Sequence, residues 1–228
     1  MNTPFTIEQF LGVFVAYNAA IWPAQIAAYV LGLLAVSALW LNGLLGQRLI
    51  LTILAIMWAW NGIGYHFLFF AEINPAAKGF AALFVLQALL FAASAVMTNG
   101  VRFSVGAGIR SALGLTFIAY ALLIYPILGS WAGHGMMAGP MFGVAPCPTT
   151  IFTIGMLLLA CGRSVMRLSI IPILWTLVGL AAAVQLEILE DLGLPIAGVV
   201  LLIAMATGGF NGGGKDRVSI GKDVGLFS

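Results

Sequence analysis

Runs of roughly twenty apolar residues recur along this chain, and that length lets an α-helix cross a hydrocarbon layer of about 30 Å. They cover residues 23–43, 48–71, 79–98, 107–128, 148–162, 168–187 and 194–210, the fifth and seventh being short. Composition agrees. The 228 residues are 62% hydrophobic and 7% charged, whereas a soluble domain carries about a quarter charged. The sequence predicts an all-α polytopic membrane protein with seven transmembrane helices, whose partner is the lipid bilayer. An earlier apolar stretch, Phe5 to Ile21, is interrupted by Glu8, Gln9 and Asn18 and reads as an N-terminal interfacial helix, with a re-entrant or spanning segment as the alternative.

The charges orient the spans. Arg48 lies between runs one and two, Arg102 and Arg110 between three and four, Arg163 and Arg167 between five and six, and Lys215, Arg217 and Lys222 in the tail. With seven spans, all of these fall on one side and only Lys78 on the other. Basic loops stay inside, so the amino terminus is expected outside and the carboxyl terminus in the cytoplasm of a bacterial plasma membrane. The N-terminus has no positive n-region and does not read as a cleaved signal peptide. A net charge of +2 without a basic patch gives no case for nucleic acid. The Gly-rich, charged tail, residues 211–228, reads as flexible.

Residues 23–98 and 148–210 echo each other. WPAQI, from Trp22, answers CPTTI, from Cys147. Arg48-Leu49 and Trp58 answer Arg167-Leu168 and Trp175, and Glu72 and Pro75 answer Asp191 and Pro195. The pattern predicts a 3+1+3 parallel repeat: an outer segment 1–22, a three-helix unit 23–98, a linker helix and outer loop 99–147, and a second three-helix unit 148–210. Pro148 suits a first helical turn, which places Cys147 near an N-cap, where a thiolate is stabilised. Cys147 and Cys161 sit 14 residues apart on one expected helix, about 21 Å, too far to bridge.

Polar groups at membrane depth are the candidate sites. In the second span Trp58 and Asn61 fall near the midplane, and Asn61, Tyr65, Leu68 and Glu72 share an α-helical face with His66 rotated away. Trp175 and Thr176 lie near the midplane of the sixth span. These residues nominate a substrate site formed by Trp58, Asn61, Tyr65, Trp175 and Thr176. His66, Glu72, Gln185, Glu187, Glu190 and Asp191 would line an outer mouth, the carboxylates as solvated ends. Between runs four and five, His134, Met136, Met137, Met141 and Cys147 offer soft ligands of the kind that select a Cu ion. His66 and His134 are the only histidines, enough for one bis-histidine haem and too few for a multi-histidine hydrolase. No nucleophile–base pair, HExxH, GxSxG or Walker pattern occurs, so no enzyme and no resident cofactor are expected. The seventh span has no lysine for a retinal Schiff base.

The strings IWPAQ, WNGIGYHFLFFAEINPAAKG and APCPTTIFTIG resemble an uncharacterised family of small multi-spanning bacterial membrane proteins, a domain of unknown function. That resemblance covers most of the chain and implies no activity. The 3+1+3 arrangement is similar to that of the SWEET facilitators and their PQ-loop relatives, without the Pro-Gln signature. It implies a small-solute transporter or facilitator with a midplane site between two units, acting on a small molecule or ion. The other readings are an accessory subunit of a larger membrane complex, or a homo-oligomer, and soft-metal binding or export.

Overall fold

The structure, a computed structural model, describes residues 5–41, 43–97, 100–131, 138–186 and 188–210. Nine α-helices are described: α1 (Ile7–Ala20), α2 (Ala24–Ser37), α3 (Leu44–Trp60), α4 (Ala77–Val96), α5 (Ile109–Ala119), α6 (Tyr125–Trp131), α7 (Pro146–Leu158), α8 (Val165–Leu186) and α9 (Gly193–Ala206). Two π-helical turns interrupt them. Asn61–Phe67 prolongs α3, and Tyr120–Ile124 joins α5 to α6.

Four continuous stretches are long and apolar enough to cross a membrane: Leu44–Glu72, Ala77–Val96, Ile109–Trp131 and Val165–Gln185. The pair α1 and α2 makes a fifth if taken as one span, although it bends by 85°. Pro23 lies at this break and has no N–H for the carbonyl four residues back. Helices α7 and α9 have 13 and 14 residues, about 20 Å of rise, and fall short of a bilayer core. By length, the seven expected crossings come to four or five among the described residues.

One end of the bundle is tied by backbone pairing. Strand β1 (Arg102–Phe103) runs antiparallel to β2 (Ala160–Cys161). Gln47 Nε2 donates to the Phe103 carbonyl over 3.4 Å, and Arg110 donates to the Ala160 carbonyl over 2.9 Å. The Arg110 guanidinium also stands over the Phe210 ring. Arg48, Arg102, Arg110, Arg163 and Arg167 lie within or next in sequence to these tied segments. Cys161, expected on the same helix as Cys147, belongs instead to β2: α7 stops at Leu158, and Gly162 turns the chain with φ +128°.

Helix α7 is the centre of the bundle. Every one of its residues except Cys147 is buried, and α3, α5, α8 and α9 all pack against it. Its three threonines return their hydroxyls to the carbonyls four residues back, at 2.6 to 2.8 Å, so the helix presents almost no polar surface of its own. Against α5 the approach is backbone to backbone: a Cβ on Gly155 would stand 2.8 Å from the Gly114 carbonyl oxygen. Helix α2 has a different environment. It packs on α3, makes no comparable contact with α4, and leaves Ile26, Val30, Leu33 and Leu34 exposed. The leading helices of the two proposed triplets are thus placed differently, one peripheral and one central.

A proline in α8 shows how interior polar groups are matched. Pro172 lies inside that helix and deprives the Leu168 carbonyl of its helical donor. Gln87 of α4, fully buried, donates to that carbonyl over 2.9 Å. The Gln87→Leu variant should lose about 1–3 kcal/mol, the cost of an unpaired buried carbonyl. The loss should shrink in a Pro172→Ala background, where residue 172 regains its N–H. Unfolding of the four proteins in detergent, followed by tryptophan fluorescence, measures this coupling.

Candidate functional site

The π turn after α3 sets the site. Within it the hydrogen bonds lengthen to five residues, as from Leu68 N–H to the Ile63 carbonyl at 3.1 Å. Such turns rephase a helix and recur at functional sites. Asn61, Gly62, Tyr65 and His66 are all buried here, whereas Leu68 and Glu72 are exposed. The α-helical face running from Asn61 to Glu72 is therefore broken at Leu68, and His66, expected to point elsewhere, turns inward with Tyr65.

His66 and Tyr65 open on a chamber of about 270 Å³ at the end of the bundle away from the arginines. Aromatic rings make most of its wall: Phe10 and Phe14 from α1, Tyr65 and Phe70 after α3, Phe80 from α4 and Trp175 from α8. Cys147, Gln185 and Asp191 supply further polar atoms. Helix α1, expected to lie on the interface, is a structural wall of this chamber. The Tyr17 hydroxyl donates to the Val144 carbonyl (2.7 Å) and accepts from Trp60 (2.8 Å), and Asn18 donates to the Gly139 carbonyl (3.0 Å).

Two features of the wall are chemically unusual. His66 is fully buried, with the Phe84 and Trp175 rings edge-on at 4.7 and 5.0 Å, and neither ring nitrogen has a hydrogen-bond partner. Buried polar atoms are nearly always paired. The indole N–H of Trp175 makes no hydrogen bond of normal geometry and interacts with the Cys147 sulfur. Opposite them, Asp191 accepts a short hydrogen bond from the Tyr125 hydroxyl and interacts with the Cys147 thiol. Its carboxyl is raised to about 7, chiefly by burial and in small part by neighbouring Glu190, against the lowering effect of the Tyr125 and Cys147 hydrogen bonds.

Glu190 and Asp191, expected as solvated ends, are 0% and 2% exposed. The turn Leu189–Leu192 folds inward because two tyrosines flanking the second π turn hold it. Tyr120 donates to the Glu190 carbonyl over 2.8 Å, and Tyr125 donates to the Asp191 side chain.

The chamber unites Tyr65, His66, Cys147, Trp175, Gln185 and Asp191 from the predicted sets. Six others lie outside it. Trp58 is stacked on Phe84 at 4.4 Å and donates to Thr153 over 2.9 Å. Asn61 donates to the Met57 and Gly143 carbonyls and to Thr149, at 2.8, 3.1 and 3.3 Å. Thr176 returns its hydroxyl to the Ile173 carbonyl. Glu72 stands exposed outside the wall, and Glu190 and Met141 face a second, smaller cavity. His134, Met136, Met137 and Glu187 lie outside the described residues. Among the described residues, no three of His, Cys, Asp and Glu come together to hold a metal ion. The phenylalanines of the wall and Tyr125 were not singled out from sequence; the four-residue spacing of Phe10 and Phe14 on one face of α1 is the signal that was there to find.

The fold and this chamber define an all-α protein with several helices able to cross a membrane and a buried, aromatic-walled site at one end. The chain belongs to a family of unknown function, DUF6064, whose model matches residues 7–213. No curated protein and no solved structure matches it.

Folding holds Asp191 in its protonated form, since its carboxyl rises from 3.8 to about 7. That contribution is complete below pH 3.8 and disappears as pH rises through 7, a loss on the order of 4 kcal/mol. Stability should fall with pH across this window for the native chain and fall distinctly less for Asp191→Asn.

Proposed function

We propose that the chain is an integral protein of a bacterial plasma membrane, with its arginine end cytoplasmic, that binds a small organic cation in the aromatic chamber and facilitates its passage. The observation carrying this reading is the chamber itself: seven aromatic rings, with Phe5 counted, around one carboxyl group. Ring faces attract ammonium groups most strongly where water is excluded. A carboxylate then balances the charge, and the unpaired His66 nitrogens would meet a hydroxyl or amine on the solute only if the ring turned toward the chamber. The volume suits a ligand of one ring or a few branched carbons.

In this reading the 3+1+3 series of passes forms two frames with unlike tasks. The second contains the central helix α7 and most of the polar wall. The first, through α1 and the π turn, closes the chamber. Passage requires the frames to move, because Asn61 and Trp58 lie in closed packing between the chamber and the arginine end. The same closed packing favours a second reading, a non-transporting accessory subunit of a membrane complex that holds its ligand as a structural or sensing element.

The test is binding and flux of radiolabelled benzyltrimethylammonium, with neopentylbenzene as its neutral isostere. The cation should stabilise the purified chain, more tightly as pH rises through about 7, where Asp191 ionises. Asp191→Asn and the chamber-filling Ala182→Phe should each weaken binding by tenfold or more, about 1.4 kcal/mol. Uptake into liposomes holding this chain alone supports the carrier. Binding without uptake, together with stable co-purification of other subunits, supports the accessory role. Equal affinity for the neutral isostere contradicts the organic-cation reading.

A further inference from the structure

Behind the chamber wall, α6 and the turn Leu189–Leu192 enclose a separate cavity of about 80 Å³, lined by Tyr29, Tyr125, Ser130, Gly139, Met141 and Glu190 among others. Glu190 is fully buried, and neither carboxylate oxygen has a hydrogen-bond partner. Among the described residues, no lysine, arginine or histidine lines the cavity. The titratable groups that act on this turn are Tyr120, Tyr125, Cys147 and the next residue, Asp191, and none of them carries positive charge. An ionised carboxylate removed from water without a counter-charge is strongly disfavoured. Asp191 does not relieve it, because its own carboxyl is held by Tyr125 and Cys147 on the chamber side.

We infer that the Glu190 cavity is a site for a monovalent alkali cation, sodium being the natural fit, and that this ion steadies the turn that carries Asp191 into the chamber. The oxygen-bearing side chains on its lining include the Glu190 carboxylate and the hydroxyls of Ser130 and Tyr125, all hard donors. Such donors select alkali and alkaline-earth ions over softer metals. One free carboxylate matches a single charge, whereas a divalent ion draws more. Tyr125 links the two compartments, since it lines the ion cavity and donates to Asp191. The ion site stands on its own geometry; its coupling to a solute rests on the organic-cation reading above.

The experiment compares the full chain in detergent in sodium chloride and in caesium chloride of equal ionic strength, without any solute. Sodium should raise the melting temperature saturably and caesium should not. Glu190→Gln should abolish the difference while melting in caesium no lower than the native chain, because an amide needs no counter-ion. Ser130→Ala should shift the sodium midpoint by about tenfold, the worth of one lost ligand. Should Glu190→Gln fail to fold, radioactive sodium binding to the native chain, with the Ser130→Ala shift, decides the matter. Identical melting in the two salts, or a sodium effect that survives in Glu190→Gln, overturns the site. Benzyltrimethylammonium binding measured in caesium tests the chamber separately, so either reading can fail alone; tighter binding in sodium establishes the coupling.

Discussion

A helix with no polar face has to be enclosed on every side or left against lipid, and α7 is enclosed. Its threonines spend their hydroxyls on their own backbone, and Gly155 admits α5 to within backbone contact. At 13 residues it is too short to reach both sides of a bilayer. The rest of the molecule follows from wrapping it. Helices α3, α5, α8 and α9 supply the shell. Trp58 and Asn61, the deepest polar side chains of α3, become donors to Thr153 and Thr149. Each is worth about 1 kcal/mol net when made and more when broken. Because α7 begins well inside the bundle, its N-terminal turn leaves space at one end, and the aromatic chamber occupies that space.

Both cavities depend on places where the regular helix is given up. The first π turn brings Tyr65 and His66 inward together, and the second precedes Tyr125, which reaches the Leu189–Leu192 turn. Uninterrupted α-helices would carry different residues to those positions. The irregular turn between α8 and α9 then places two consecutive acids back to back, Asp191 toward the aromatic wall and Glu190 toward the smaller cavity. The proposed solute site and ion site are thus neighbours through a single peptide unit, which is why occupation of one is expected to be felt at the other.

Apolar run length gave an all-α chain with several helices able to cross a membrane, because it depends on local composition alone, but it counted seven crossings where four or five described stretches are long enough. Tyr65, His66, Trp175 and Asp191 were legible as polar or aromatic interruptions in apolar helices. Their grouping was not. It turns on the π register at Asn61–Phe67, which reassigned His66 and Leu68, and on the inward fold at Glu190, whose partners lie some 70 residues away at Tyr120. Nothing in a 3.6-residue period announces either. The echo between WPAQI and CPTTI was likewise a matter of letters: Pro23 marks a bend at the periphery, Pro148 the first turn of the central helix.

The claim on which the account rests is that α7 is shielded from lipid while its neighbours face it. Photolabelling in liposomes with a diazirine-bearing phospholipid, read out by peptide mapping, tests this most directly. Label is predicted on the exposed apolar residues of α4 and α8, such as Leu89, Val96, Ile170, Leu177 and Val184, and to be absent from Ile151 to Leu158. Label spread along α7 at the level seen on α4 would contradict the account.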